Sequence, residues 1–236
     1  MIYSYQFRLP FIDTDTTRSV TVGGALDLMQ DAADAHTISA VDPDYLAHSN
    51  RTWILNSWLV YFDRPCHSRD ILTMSTWSSG AKRMFATRNF TITNQQGEVC
   101  IRARTYWFLV NSETLAPVRI TDNDMRYYET SPALSMDDPG RKIPIPADSS
   151  EEDSFPVRRF MLDAYGHVNN AWYVRLAQEY LPEAFSVRRL RAEYKSAAHL
   201  GDTFLPLVSR SDHLITVVLA APDRTPYAVI EFSDEP

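Results

Sequence analysis

One order of secondary-structure signals runs through this 236-residue chain twice. Residues 3–10, YSYQFRLP, alternate as a strand does. From Thr21 the period lengthens, and Ala25, Leu28, Met29, Ala32, Ala33 and His36 fall on one helix face. Strand-like segments follow at 52–62, 70–79, 84–92 and 98–110, with TNQQG (93–97) as the turn between the last two. Later the order starts again. Residues 155–162 read as a strand, and Trp172, Tyr173, Leu176, Ala177, Tyr180 and Leu181 mark a helix that stops before Pro182. Strands are then expected at 187–197, 202–211, 213–221 and 227–234.

Local detail repeats with the order. FDRPCHSRD (62–70) and YKSAAHLGD (194–202) occupy the same place in the two halves, setting Phe62 on Tyr194, His67 on His199 and Asp70 on Asp202. LMQDA (28–32) and LAQEY (176–180) correspond in their helices. Such a helix is buried best when its antiparallel sheet curls around it. Joining two sheets edge to edge also removes two unpaired edges. The expected fold is α+β: two tandem units over 1–120 and 155–236, each a long central helix wrapped by an antiparallel sheet, the sheets joined edge to edge. The connector, 121–154, is punctured by prolines, ends in the acidic DSSEEDS (148–154), and is expected to hold a short helix near 121–129.

Net charge is −7 and no basic patch dominates, which argues against nucleic acid or an anionic membrane as partner. No basic leader precedes an apolar run, and no apolar run reaches the ~20 residues that span a bilayer. A cytoplasmic protein without membrane insertion is expected. Cys66 and Cys100 lie far apart without metal-ligand spacing and read as reduced, buried thiols.

Chemistry concentrates in LDAYGHVNNAWY (162–173). Asp163 and His167 are either a working pair or parts of a well-capped helix start. Asn169 or Asn170 caps the helix, and Gly166 allows a tight turn. N–H groups near His167 and Val168 would lie at the positive end of the helix dipole, where they can stabilise an oxyanion. His167 is suited to activating water or protonating a leaving thiolate, with Asp163 orienting it. In the first half, Met29, Ala33, Trp53 and Leu55 read either as lining of an apolar tunnel or as ordinary core. The basic RRLR (188–191) and Lys195 read either as a docking patch for an acidic partner or as a solvated strand face.

GHVNNAWY resembles a segment of hotdog-fold thioesterases, and the fuller resemblance is to plant and bacterial acyl-ACP thioesterases. It extends over residues 21–40, over WILNSWLVYFDRPCHSRDILTMSTW (53–77), over 97–120 and over LRAEYKSAAHLGD (190–202). The resemblance implies a double hotdog fold and hydrolysis of fatty acyl-ACP to free fatty acid and holo-carrier. It implies acyl carrier protein as partner, and neither a metal nor a redox cofactor. Asp163 and His167 match the family's Asp-x-Asn-x-His, while Tyr165 stands at the Asn position and becomes a candidate catalytic hydroxyl. Glu193 and Tyr194 match a family EY element, but Ala197 and Ala198 hold the positions of the following Glu and Cys. An acyl-CoA thioesterase, or a non-catalytic acyl-ACP or lipid-binding protein on the same scaffold, is the alternative. A homodimer is compatible with either.

Overall fold

The helical period after Thr21 becomes α1 (Val22–Ala40) in the computed structural model, which describes residues 1–236 except the side chains of Leu46 and Ala47. Thr21 caps the helix by accepting the Gly24 N–H at 3.0 Å. A Cβ on Gly24 would lie 2.7 Å from the Asp13 Cβ, so only glycine lets the helix start on the Phe11–Asp13 turn. The buried face carries Ala25, Leu26, Met29, Ala32, Ala33 and His36, while Leu28 is half-buried at its margin. A short helix α2 (Pro43–His48) follows, capped by Asp42.

The chain forms two units, Met1–Asn56 with Asp63–Pro139, and Ser57–Phe62 with Gly140–Pro236. In the first, β1 (Tyr3–Arg8), β3 (Ile71–Lys82), β4 (Phe85–Thr93) and β5 (Val99–Asn111) lie side by side in that order, all antiparallel. Helix α1 packs on β3. The 93–97 turn is closed by Asn94, whose Oδ1 accepts the N–H groups of Gln96 and Glu98. A one-turn helix α3 (Asp122–Met125) follows β5, with Thr121 and Asp124 forming a capping box. Cys66 and Cys100 are free and buried, and burial pushes both thiols up from their ordinary value.

Strand β2 (Arg51–Phe62) crosses between the units, and its residues from Ser57 on pair antiparallel with β8 (Arg189–Tyr194). The second sheet continues through β11 (Pro226–Ser233), β10 (Leu214–Ala220) and β9 (Thr203–Arg210). Two short strands, β6 (Ser150–Glu151) and β7 (Phe155–Pro156), edge β9. The expected strand at 155–162 is corrected here: it keeps only Phe155 and Pro156, then turns into a 3-10 helix at Arg159–Met161. Its missing length comes from Ser150 and Glu151 in the acidic run. The register slips by one residue between β6 and β7, so polar residues 152–154 form a bulge.

Helix α4 (Asn170–Gln178) buries Ala171, Tyr173, Val174 and Ala177. It ends short of Pro182, and its buried face is rotated from the expected one, leaving Trp172 and Leu176 half-buried. Beneath residues 140–143, Arg191 pairs with Glu231 at 3.0 Å and donates to the Gly140 and Lys142 carbonyls. Glu193 pairs with Lys195 at 3.0 Å and accepts the Ile143 N–H at 2.9 Å. Arg191 is buried and engaged within the unit, so it does not contribute an exposed charge to the basic cluster, whereas Lys195 is exposed. Among the described residues no helix is long and apolar enough to cross a membrane.

Candidate active site

The segment 162–173 folds as a tight loop on the head of α4. The Asp163 N–H donates to the His167 carbonyl at 2.8 Å, and the Gly166 N–H donates back to the Asp163 carbonyl at 3.1 Å. Gly166 takes φ +78°, which a side chain would disfavour. Asp163 Oδ1 accepts the Tyr165 N–H at 2.8 Å and the His167 N–H at 3.2 Å. This carboxylate therefore organises backbone, as aspartate does in Asx turns. Tyr165 stands at the outer tip, 80% exposed.

Asn169 is the residue that caps α4: its Oδ1 accepts the Ala171 N–H at 2.8 Å. The Val168 N–H donates to the Ala198 carbonyl at 2.9 Å, and the Asn169 N–H donates to the Met161 carbonyl at 2.9 Å. The two donors nearest the imidazole on the sequence reading, those of His167 and Val168, are thus both engaged. From Tyr165 to Trp172, the Asn170 N–H is the one without an acceptor among the described residues. It belongs to the first residue of α4, at the positive end of the helix dipole.

His167 is half-buried, and its ring meets His199 edge-on, with centroids 4.7 Å apart and planes at 89°. An isolated antiparallel bridge between these residues fixes their separation. His199 is held from behind, since its N–H donates to Asp202 Oδ2 at 2.8 Å and its Nδ1 lies 3.8 Å from the same oxygen. Asp202 also acts on Tyr227, whose hydroxyl is pushed up first by burial and then by the charge of this carboxylate. Tyr173 supports the loop from below by accepting the Ala198 N–H at 2.9 Å, and burial raises its hydroxyl to about 12. Tyr194 donates to the Asn170 carbonyl at 2.9 Å. Ala197 is exposed, so no side-chain function occupies that position. On sequence His199 falls on His67 and Asp202 on Asp70, and both histidines read as structural or exposed; the ring contact with His167 is what the structure adds.

In the first unit Met29, Ala33 and Leu55 are packed in the core at 0, 4 and 3% exposure. Trp53 lines a cavity of about 20 Å³ with Tyr45, Arg51, Leu109, Asp124 and Tyr128. That volume suits a water rather than a chain. Asp124 there accepts from Tyr45, from Arg51 at 2.7 Å and from Thr121. No group of three or more His, Cys, Asp or Glu side chains among the described residues is arranged to hold a metal.

The model of the acyl-ACP thioesterase N-terminal domain matches residues 1–128, and that of the C-terminal domain matches residues 145–205. This chain belongs to the acyl-ACP thioesterase family. Asp163, His167 and His199 all fall within the C-terminal match. An acyl-ACP thioesterase from Bacteroides thetaiotaomicron superposes with TM-score 0.88 at 19% identity, covering 98% of this chain and 97% of that one. The 12:0-ACP thioesterase from Umbellularia californica gives TM-score 0.85 at 17% identity, covering 98% and 96%. The fold of this family member is accordingly the double hotdog. In sequence, it is 24% identical over 220 residues to an uncharacterized protein of Mycobacterium tuberculosis, covering 92% of this chain and 85% of that one. It is 23% identical over 145 residues to the acyl-[acyl-carrier-protein] hydrolase FATB3 of Cuphea viscosissima, covering 58% of this chain and 35% of the plant protein.

Proposed function

We propose that this protein hydrolyses the thioester between a fatty acyl group and acyl carrier protein, releasing the free acid and the holo-carrier. The observation that carries the reading is His167, presented at the head of α4 within the range matched by the family's C-terminal model. In this reading the His167 imidazole takes a proton from water as the water oxygen attacks the thioester carbonyl carbon. The carbonyl oxygen gains negative charge, and the unengaged Asn170 N–H is the donor for it, with Asn169 holding the first turn and Val168 anchoring the loop. The adduct then expels the thiolate, which takes the proton from His167.

Asp163 serves this step by shaping the turn that presents His167. In this reading the Tyr165 hydroxyl, exposed on the solvent side of that turn, donates a hydrogen bond to the carrier's pantetheine arm. Met29, Ala33, Trp53 and Leu55 are the proposed acyl contacts in the first unit. The packing of Met29, Ala33 and Leu55 means side chains there must part to admit a chain.

One observation favours a second reading. With Asp163 engaged by backbone and Tyr165 in solvent, no carboxylate bonds the His167 ring, as suits a protein that binds acyl carriers without hydrolysing them. A panel of medium- and long-chain acyl-ACP and acyl-CoA substrates separates the readings. Release of free acid from acyl-ACP supports hydrolysis, and a preference for acyl-CoA reassigns the carrier. Saturable binding of acyl-ACP without release supports the second reading.

A further inference from the structure

The two units build the same loop on the same hydrogen bonds, and the difference between the copies is informative. In the first, Asp15 Oδ1 accepts the Thr17 N–H at 2.8 Å and the Ser19 N–H at 3.0 Å, and the Asp15 N–H donates to the Ser19 carbonyl. The His67 N–H donates to Asp70 Oδ2 at 2.7 Å, and Ser19 and His67 form an isolated bridge. Each copy is thus a platform on which a His-x-x-Asp anchor sets an imidazole against one loop residue. In the first copy that residue is Ser19, whose Oγ lies 3.3 Å from His67 Nδ1. In the second it is His167.

The His167 ring makes no hydrogen bond among the described residues. Its neighbouring carboxylate, Asp163, is turned to the backbone. A ring with two rotatable bonds and no hydrogen-bond partner owes its orientation to packing. The group packed on it is the His199 ring, 4.7 Å away and perpendicular. His199 is tied at its N–H and faced at Nδ1 by Asp202.

We propose that His199, anchored by Asp202, is the positioning residue for His167, fixing the orientation of the imidazole that meets the thioester. The chain His167, His199, Asp202 supplies from an adjacent strand end the orientation that Asp163 does not give. A reacting group misplaced by about 1 Å costs on the order of a hundredfold in rate, so an orienting contact of this kind has a measurable effect.

The kinetic part of the test rests on the thioesterase reading; the spectroscopic part does not. The full-length wild type, His199→Ala, His199→Phe and the first-copy control His67→Ala are compared. The measurements are turnover of an acyl-ACP and ring 15N–1H correlation spectra, with the His167 signals assigned by their loss in His167→Ala. The expected result for His199→Ala is a fall in kcat of about 10- to 100-fold with KM little changed. Its His167 ring signals shift and broaden as the ring samples more than one orientation. His199→Phe, which restores a ring at the contact, recovers part of both signals, and His67→Ala matches the wild type in both. A His167 pattern unchanged in His199→Ala overturns the proposal, as does a changed pattern with unchanged kcat. If the wild type shows no turnover, the thioesterase reading fails instead, and the nitrogen pattern alone decides the positioning role.

Discussion

The carboxylate of Asp163 bonds the backbone N–H of His167 at 3.2 Å rather than its ring. Asp15 makes the matching bond to Ser19 at 3.0 Å in a loop that has no histidine at that place. The turn therefore forms with or without a histidine at that place, and shaping it is the first duty of Asp163. Asp163→Asn keeps an oxygen acceptor and is expected to stay within about 0.5–1 kcal/mol of wild-type stability, whereas Asp163→Ala loses about 1–2 kcal/mol. Urea denaturation of the two variants checks the ordering. Turnover is expected to follow it, with Asp163→Ala below Asp163→Asn. Equal stability of the two would show that the carboxylate oxygen is not holding the turn.

A second expectation concerns pH and the first unit. Arg88, buried on β4, donates to His36 Nδ1 at 2.8 Å, so this nitrogen carries no proton and His36 is neutral. Burial, then the Arg88 charge, holds the imidazole down to about 4. Between pH 6.5 and about 4 the unfolded chain binds a proton at His36 that the folded chain refuses. Stability from this group is thus fully present above pH 6.5 and is lost as pH falls to about 4, amounting to about 3 kcal/mol. Chemical denaturation of wild type and His36→Gln across that range is expected to show a shallower slope in the variant. Parallel slopes would contradict the neutral assignment.

Asp124 behaves with the same sign for a different reason. Burial pushes its carboxyl up, but hydrogen bonds from Thr121 and Tyr45 and the charge of Arg51 outweigh that, and the net shift is downward. An acid held low contributes stability above the unfolded pKa and loses it as pH falls through the folded one. Asp124→Asn is expected to cost about 2–3 kcal/mol at neutral pH, with the difference from wild type shrinking below pH ~4. Thermal unfolding at neutral and acid pH measures both values. A pH-independent difference would mean that packing, not charge, is what the variant removes.

Much of this architecture is legible in the chain because its periods are long. Helix α1 and strands β2 to β5 show it, since each buries a continuous face and the pattern survives without tertiary help. The second-half edge strand was hidden because β6 and β7 are two residues each and are split by a polar bulge at 152–154. At the site, Asp163 and His167 stand out as a pair or a capped turn, and the spacing narrows the cap to Asn169 or Asn170. The His167–His199 contact was not visible, because only an isolated bridge brings the loop and the β8–β9 connection together. The kinship of Asp15 with Asp163 was equally obscured, since DTTRSV and DAYGHV share only their first and last residues. It shows in matching hydrogen bonds and in the positive φ of Arg18 and Gly166, at 65° and 78°.

The cap makes a more local test. Asn169→Ala removes the acceptor of the Ala171 N–H and is expected to cost about 1 kcal/mol. Asn169→Asp is expected to hold or gain stability, because a negative charge there suits the positive end of α4. Melting temperatures of the pair decide it, and a more stable alanine variant would count against the cap.

The most direct test of the account is turnover of an acyl-ACP thioester by wild type and His167→Ala at equal folded concentration. Release of free fatty acid by the wild type and a fall in kcat of about 10²- to 10⁴-fold in the variant is the predicted result. Wild-type turnover left unchanged by the substitution would contradict the assignment of His167 as the group that moves the proton.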